Sequence, residues 1–135
     1  MLSTDILSLP PDFPVQFPLN THEDIQVLEH YLDSSEKQNR LSSYLSSLGG
    51  TITASRTNRI LRKMLNNELA NDYNFLGQRK NKRPFGTLKM KTVVLCAVHK
   101  QSSSSTDHDI ENAIKIWLKH AHQRLTVEKK RKQQL

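Results

Sequence analysis

Residues 88–99 read Leu-Lys-Met-Lys-Thr-Val-Val-Leu-Cys-Ala-Val-His, and whether they form a strand or a helix decides the fold. Val93, Val94, Leu95 and Val98 suit a buried strand. Leu88, Met90, Leu95, Ala97 and Val98, in contrast, surround a helix almost completely, the pattern of a helix covered on all sides. A strand here would have no partner elsewhere in the chain, and an unpaired strand is not stable in water. The segment is therefore read as a central helix, and the chain as an all-α, compact single domain of five to six helices with flexible termini.

Immediately upstream, and overlapping this helix, residues 77–91 carry Arg79, Lys80, Lys82, Arg83, Lys89 and Lys91 with no acid, a charge of +6. A loop cannot bury such charge, so the stretch calls for an anionic partner. Pro84-Phe85-Gly86 closes the loop, Thr87 caps the helix that follows, and Lys91 falls on the crowded side of that helix near Val98. Phe75 and Phe85 read as apolar anchors of the loop ends; the alternative is that they stack on unpaired bases.

Working back toward the N-terminus, Ile60, Leu61, Met64 and Leu65 form the apolar face of a helix over about 54–66 that Thr51, Thr53 or Ser55 can cap. Arg59, Arg62 and Lys63 project from its opposite face, with Arg56 at the edge. Glu68, Leu69, Ala70 and Tyr73 add one short turn. Two further helices come before it. Asn20 and Thr21 start one at about 21–33, and Ser34, Ser35 and Glu36 start the next at about 36–48, which ends at Gly49-Gly50. The short connection makes these two an antiparallel pair. Residues 1–14 are a Pro-rich leader. The alternation of Phe13, Val15, Phe17 and Leu19 leaves open that an extended segment docks onto the core.

Downstream, Thr106 and Asp109 make a capping box for a helix in which Ile110, Ala113, Ile114, Trp117, Leu118 and Ala121 follow the helical template without a miss. Its outer face carries Lys115 and Lys119. After Leu125 the chain reads as a solvated basic tail, so that the domain proper covers 15–123 and the tail 124–135. The run 129–132 fits a nuclear import signal or an extra phosphate contact.

Charge is unevenly distributed. Residues 1–40 hold seven acids and two bases, while 41–135 hold eighteen bases and six acids, for a total of +7. An acidic front on a strongly basic body points to polyanion binding. No apolar run approaches the roughly 20 residues that span a bilayer, so no membrane partner is expected. Cys96 is the only cysteine, which excludes an internal disulfide or a thiolate zinc cluster and fits a reducing compartment. The six histidines are scattered, Gly49-Gly50 lacks the residues of a nucleotide loop, and no nucleophile is paired with a base. No enzyme activity, cofactor, metal or small-molecule substrate is expected.

Taken together, Phe17-Pro18-Leu19, the helix pair ending in Gly49-Gly50, residues 59–65, Glu68-Leu69-Ala70, residues 73–77 and residues 114–121 resemble the domain of unknown function numbered 4806, frequent in arthropod proteins, over about 15–123. A looser similarity is to BEN domains, through the order of 61–70, the basic loop 77–83 and the apolar helix 88–98. That resemblance implies an all-helical, zinc-free module that binds DNA in chromatin and transcriptional repression, with its C-terminal part, including Arg124, also in contact.

The expected function is therefore binding of duplex DNA in the nucleus, in chromatin, transcriptional regulation or a transposon-related protein. The expected contacts are Arg79, Lys80, Lys82, Arg83 and Lys89 of the loop region, Arg56, Arg59, Arg62 and Lys63 of the basic helix, and Lys115 and Lys119. The alternatives are a homodimer or protein-interaction module, in which the acidic first helix meets the basic surface, and binding of RNA or single strands.

Overall fold

The computed structural model describes residues 8–79 and 81–134, which form seven helices and two two-residue strands. Helices α1 (His22–Tyr31), α2 (Ser35–Ser46), α3 (Thr53–Met64) and the single turn α4 (Asn67–Ala70) precede strands β1 (Tyr73–Asn74) and β2 (Arg83–Pro84). Helices α5 (Lys89–Gln101), α6 (Asp107–Lys119) and α7 (Ala121–Gln134) complete the chain.

The fold is all-α, and α5 is its centre. Met90, Val93, Val94, Ala97 and Val98 are buried along one broad face of that helix, which packs against α2, α3 and α6. Away from that face Thr92 and Lys100 are exposed, so α5 is covered over a broad face and not on every side as its sequence suggested. It also draws α2 away from α1. The principal helix contacts are α2 with α5 and α3 with α6, and the expected antiparallel α1–α2 pair is not among them. The single apolar stripe of α1 offers α2 less surface to bury than α5 does.

Three helix starts are capped as the sequence suggests. Thr21, Ser34 and Thr106 accept from the backbone N–H of Asp24, Lys37 and Asp109 at 3.1, 3.4 and 3.1 Å. The start of α5 differs. Thr87 does not cap it; the carboxylate of Glu29, from α1, accepts from the N–H groups of Lys89 and Met90 at 2.8 and 2.9 Å. A negative group at this positive helix end satisfies two orphan donors and ties α1 to α5.

At the N-terminus, the docking alternative holds for residues 13–19. Phe13, Val15 and Phe17 are half-buried against the core and Leu19 is fully buried. Phe13 meets the Tyr31 ring edge-on at 5.4 Å. Leu19 donates its N–H to Met64 O at 2.7 Å and accepts from Asn66 N at 3.0 Å, which clips the segment to the end of α3. Residues 1–7 of the leader lie outside the described residues.

At the other end, the segment read as a tail is solvated, since 126–133 are exposed, but it is helical and makes up most of α7. This helix is the seventh that the sequence reading did not count.

Candidate nucleic-acid interface

The basic loop is built on a clamp. Tyr73 and Asn74 pair in parallel with Arg83 and Pro84. Arg83 N donates to Asp72 O at 2.9 Å and Phe85 N to Asn74 O at 2.8 Å, so both ends of the loop 75–82 are held. Phe85 is fully buried and serves as the anchor that its Pro-Phe-Gly context suggested. Phe75 is half-buried, and the Lys115 ammonium lies 5.1 Å from its ring centroid. Neither ring is an open stacking platform.

Within the loop, the Asn74 side chain accepts from the N–H groups of Gly77 and Gln78 and donates to Gln78 O. Gly77, Arg79 and Asn81 have φ values of 74°, 65° and 58°. Gly77 takes this conformation freely, and a Cβ there would lie 2.8 Å from the Pro84 ring. For Arg79 the left-handed region costs roughly 1–2 kcal/mol. A turn closed by Lys82 N donating to Arg79 O at 3.0 Å holds it there, with the side chain exposed.

This loop faces the C-terminal helices across an open cleft of about 1120 Å³. Arg79, Lys82 and Arg83 line one wall; Lys115, Lys119 and His122 line the other. Asp72 is the one acid among the described lining residues. Arg79, Arg83, Lys115 and Lys119 are exposed. Lys82 is half-buried, and its ammonium donates to the Asn71 backbone carbonyl and side-chain oxygen, so it fastens the loop to the α4–β1 turn while adding charge to the cleft. Lys80 lies outside the described residues.

The other expected contacts are placed differently. Lys89 is turned away from the cleft: its ammonium donates to the Asp33 carboxylate and, at 3.2 Å, to Glu29 O. The hydrogen bond and charge of Lys89 hold the Asp33 carboxyl below its ordinary value, and Asp33 in turn raises Lys89. Lys91 pairs with Glu111 at 3.4 Å, and Asp107 meets His99 at 2.6 Å, so two of the acids at the start of α6 are spent inside the chain.

On α3 the four bases divide. Arg59 donates to Leu48 O at 3.1 Å, and Arg56 packs where Gly50 leaves room, so both serve the α2–α3 connection. Arg62 and Lys63 are exposed. Arg62 approaches Arg124 and, after burial, is the second cause of that guanidinium's lowered pKa. Arg124 is not a free contact. It lies 3.9 Å over the Trp117 ring and donates to Asn67 Oδ1 at 2.8 Å and Trp117 O at 2.7 Å, locking α7 to α4 and α6.

Sequence reasoning missed His122 as a cleft residue and Asn71 as the fastener of Lys82. The spacing of His122 three residues beyond Lys119 was the available signal. Among the described residues no three His, Cys, Asp or Glu side chains are grouped to hold a metal ion, and no helix is long and apolar enough to cross a membrane.

Fold and site define a small all-helical domain in which a clamped basic loop and the C-terminal helices enclose a cationic cleft. The chain belongs to the family described as domain of unknown function (DUF4806), whose match covers residues 13–97. That span opens at the docked N-terminal segment and includes the loop wall of the cleft; Lys115, Lys119 and His122 lie beyond it. No curated protein and no solved structure matches the chain.

Proposed function

We propose that the protein is a DNA-binding module that grips the phosphate backbone of duplex DNA in the cleft between the loop 75–82 and α6. The observation that carries this reading is the convergence of Arg79 and Arg83 with Lys115 and Lys119, from segments some thirty residues apart, on one open cleft lined by a single described acid. Exposed bases on both walls suit a polyanion, because each phosphate neutralised releases condensed counterions. Arginines add forked donors that fit phosphate oxygens. The BEN-like order of helix, basic loop and apolar helix supports the same partner.

Duplex is favoured over single strands because Phe85 is buried and Phe75 is occupied by Lys115. Association through the acidic α1 is less favoured, since Glu29 and Asp33 are already engaged by the start of α5. With duplex DNA as partner the protein acts in the nucleus, as a chromatin, transcription-regulating or transposon-related module.

The test is fluorescence anisotropy on a labelled random-sequence duplex, with wild type and a variant carrying Arg79→Glu, Arg83→Glu, Lys115→Glu and Lys119→Glu. Circular dichroism checks that the variant keeps its helices. Wild type should lose affinity steeply between about 50 and 200 mM salt, and the variant should lose binding altogether. Lys89→Ala, outside the cleft, should bind as wild type does. Equal binding by wild type and the four-site variant would overturn the proposal, as would tighter binding to an unpaired strand of the same sequence.

A further inference from the structure

Helix α7 sorts its charges by face. Arg124 turns into the body toward Asn67 and Trp117, and Glu128, one turn on, is close enough for its charge to act on Arg124. His122 lies about 200° round the helix from Arg124 and lines the cleft. Continuing the His122 stripe by one and two turns reaches Thr126 and Lys129, with Lys130 and Lys132 about 80° to either side. All of these side chains are exposed. Arg131 falls instead on the Arg124 side. Glu128, though exposed, therefore lies on the Arg124 side, while Lys129 and Lys130 are left on the face that runs out of the cleft, with Lys132 at its edge one turn from Glu128.

We infer that Lys129, Lys130 and Lys132 prolong the cleft and hold the backbone of the same DNA duplex beyond it. This inference rests on the DNA-binding reading of the cleft. The distance supports it: seven residues separate His122 from Lys129, a rise of about 10 Å, which is the axial span of roughly three phosphates of one strand. The run 129–132 is thus a directional contact whose residues are not equivalent, because helical register sets which of them face the DNA.

The experiment uses the full chain, glutamine substitutions that preserve helix propensity, and the same duplex over a salt series. Lys129→Gln should lower the slope of log affinity against log salt by up to about one unit, and the triple change at Lys129, Lys130 and Lys132 by about two to three. Arg131→Gln should leave it unchanged. An unchanged slope for the triple variant, while the four-site cleft variant still abolishes binding, would overturn this inference and leave the cleft intact. Equal effects of Lys129→Gln and Arg131→Gln would also overturn it, as they would show a diffuse charge effect without register. Absence of duplex binding by wild type would overturn the cleft reading and this one together.

Discussion

Substituting Leu19 with alanine tests whether the extended N-terminal segment belongs to the folding unit. The Leu19 side chain is fully buried, and its backbone is held on both sides, by Met64 O at 2.7 Å and Asn66 N at 3.0 Å. Deleting a fully buried leucine costs about 2–5 kcal/mol, the larger values arising where the surroundings cannot collapse into the space. Two backbone hydrogen bonds limit collapse here, so about 3 kcal/mol is a reasonable central value. Against a total stability of roughly 5–15 kcal/mol this is a large fraction. With a urea m-value of about 2 kcal/mol per molar, the unfolding midpoint should fall by about 1.5 M, read by circular dichroism with m unchanged. Pro11→Ala, at an exposed position of the same segment, should change stability by no more than about 0.5 kcal/mol. A shift below about 0.5 M for Leu19→Ala would refute the reasoning, because it would mean that the segment contributes no packing and the core closes without it.

Two further perturbations probe the turn before α3 and the base of the loop. Gly50 has φ +133° and an added Cβ would lie 2.7 Å from Arg56 Cγ and 2.9 Å from its backbone, so Gly50→Ala should destabilise by at least about 1–3 kcal/mol in the same urea assay, while a wild-type midpoint would contradict the packing described. Tyr73 donates to or accepts from His22 Nδ1 at 2.8 Å, and burial pushes its hydroxyl up to about 12 from 10.0. Because the unfolded chain gives up this proton first, the contribution of Tyr73 is complete below about pH 10 and is lost as pH rises toward 12. The stability difference between wild type and Tyr73→Phe should accordingly be flat to about pH 9 and shift against wild type above about pH 10, which paired urea titrations would show; a pH-independent difference would refute it.

The helix over 88–99 was legible for a local reason, the recurrence of apolar residues at 90, 93, 94, 97 and 98, although that spacing makes one broad buried face and not the all-round cover expected of it. The caps at Thr21, Ser34 and Thr106 were legible for the same reason, since donor and acceptor lie three residues apart. What failed was whatever depended on a distant partner. Thr87 looked like the cap of α5, but Glu29 fills that role from sixty residues away. Lys89 looked as available as Arg83, and only the fold shows that Asp33 and Glu29 occupy it. Composition counts charges; it does not show which of them are already engaged. The continuation of the last helix through 126–133 was hidden for a different reason, since those residues bury little and so carry no apolar period to read.

The family match and the folding unit do not coincide. Residues 13–97 end inside α5, yet α3 is covered by α6, where Ile110, Ile114, Trp117 and Leu118 are buried. At roughly 1.5–3 kcal/mol for each buried side chain, those four contribute on the order of 6–12 kcal/mol, comparable with the entire stability of a domain this size. The matched residues alone would leave Ile60, Leu61 and Met64 of α3 without the cover that α6 gives that helix in the whole chain. The same cover supplies the second wall of the cleft. In this chain α6 both packs on α3 and carries Lys115 and Lys119 opposite the basic loop, so the cover of the core and the second basic wall of the cleft are a single element.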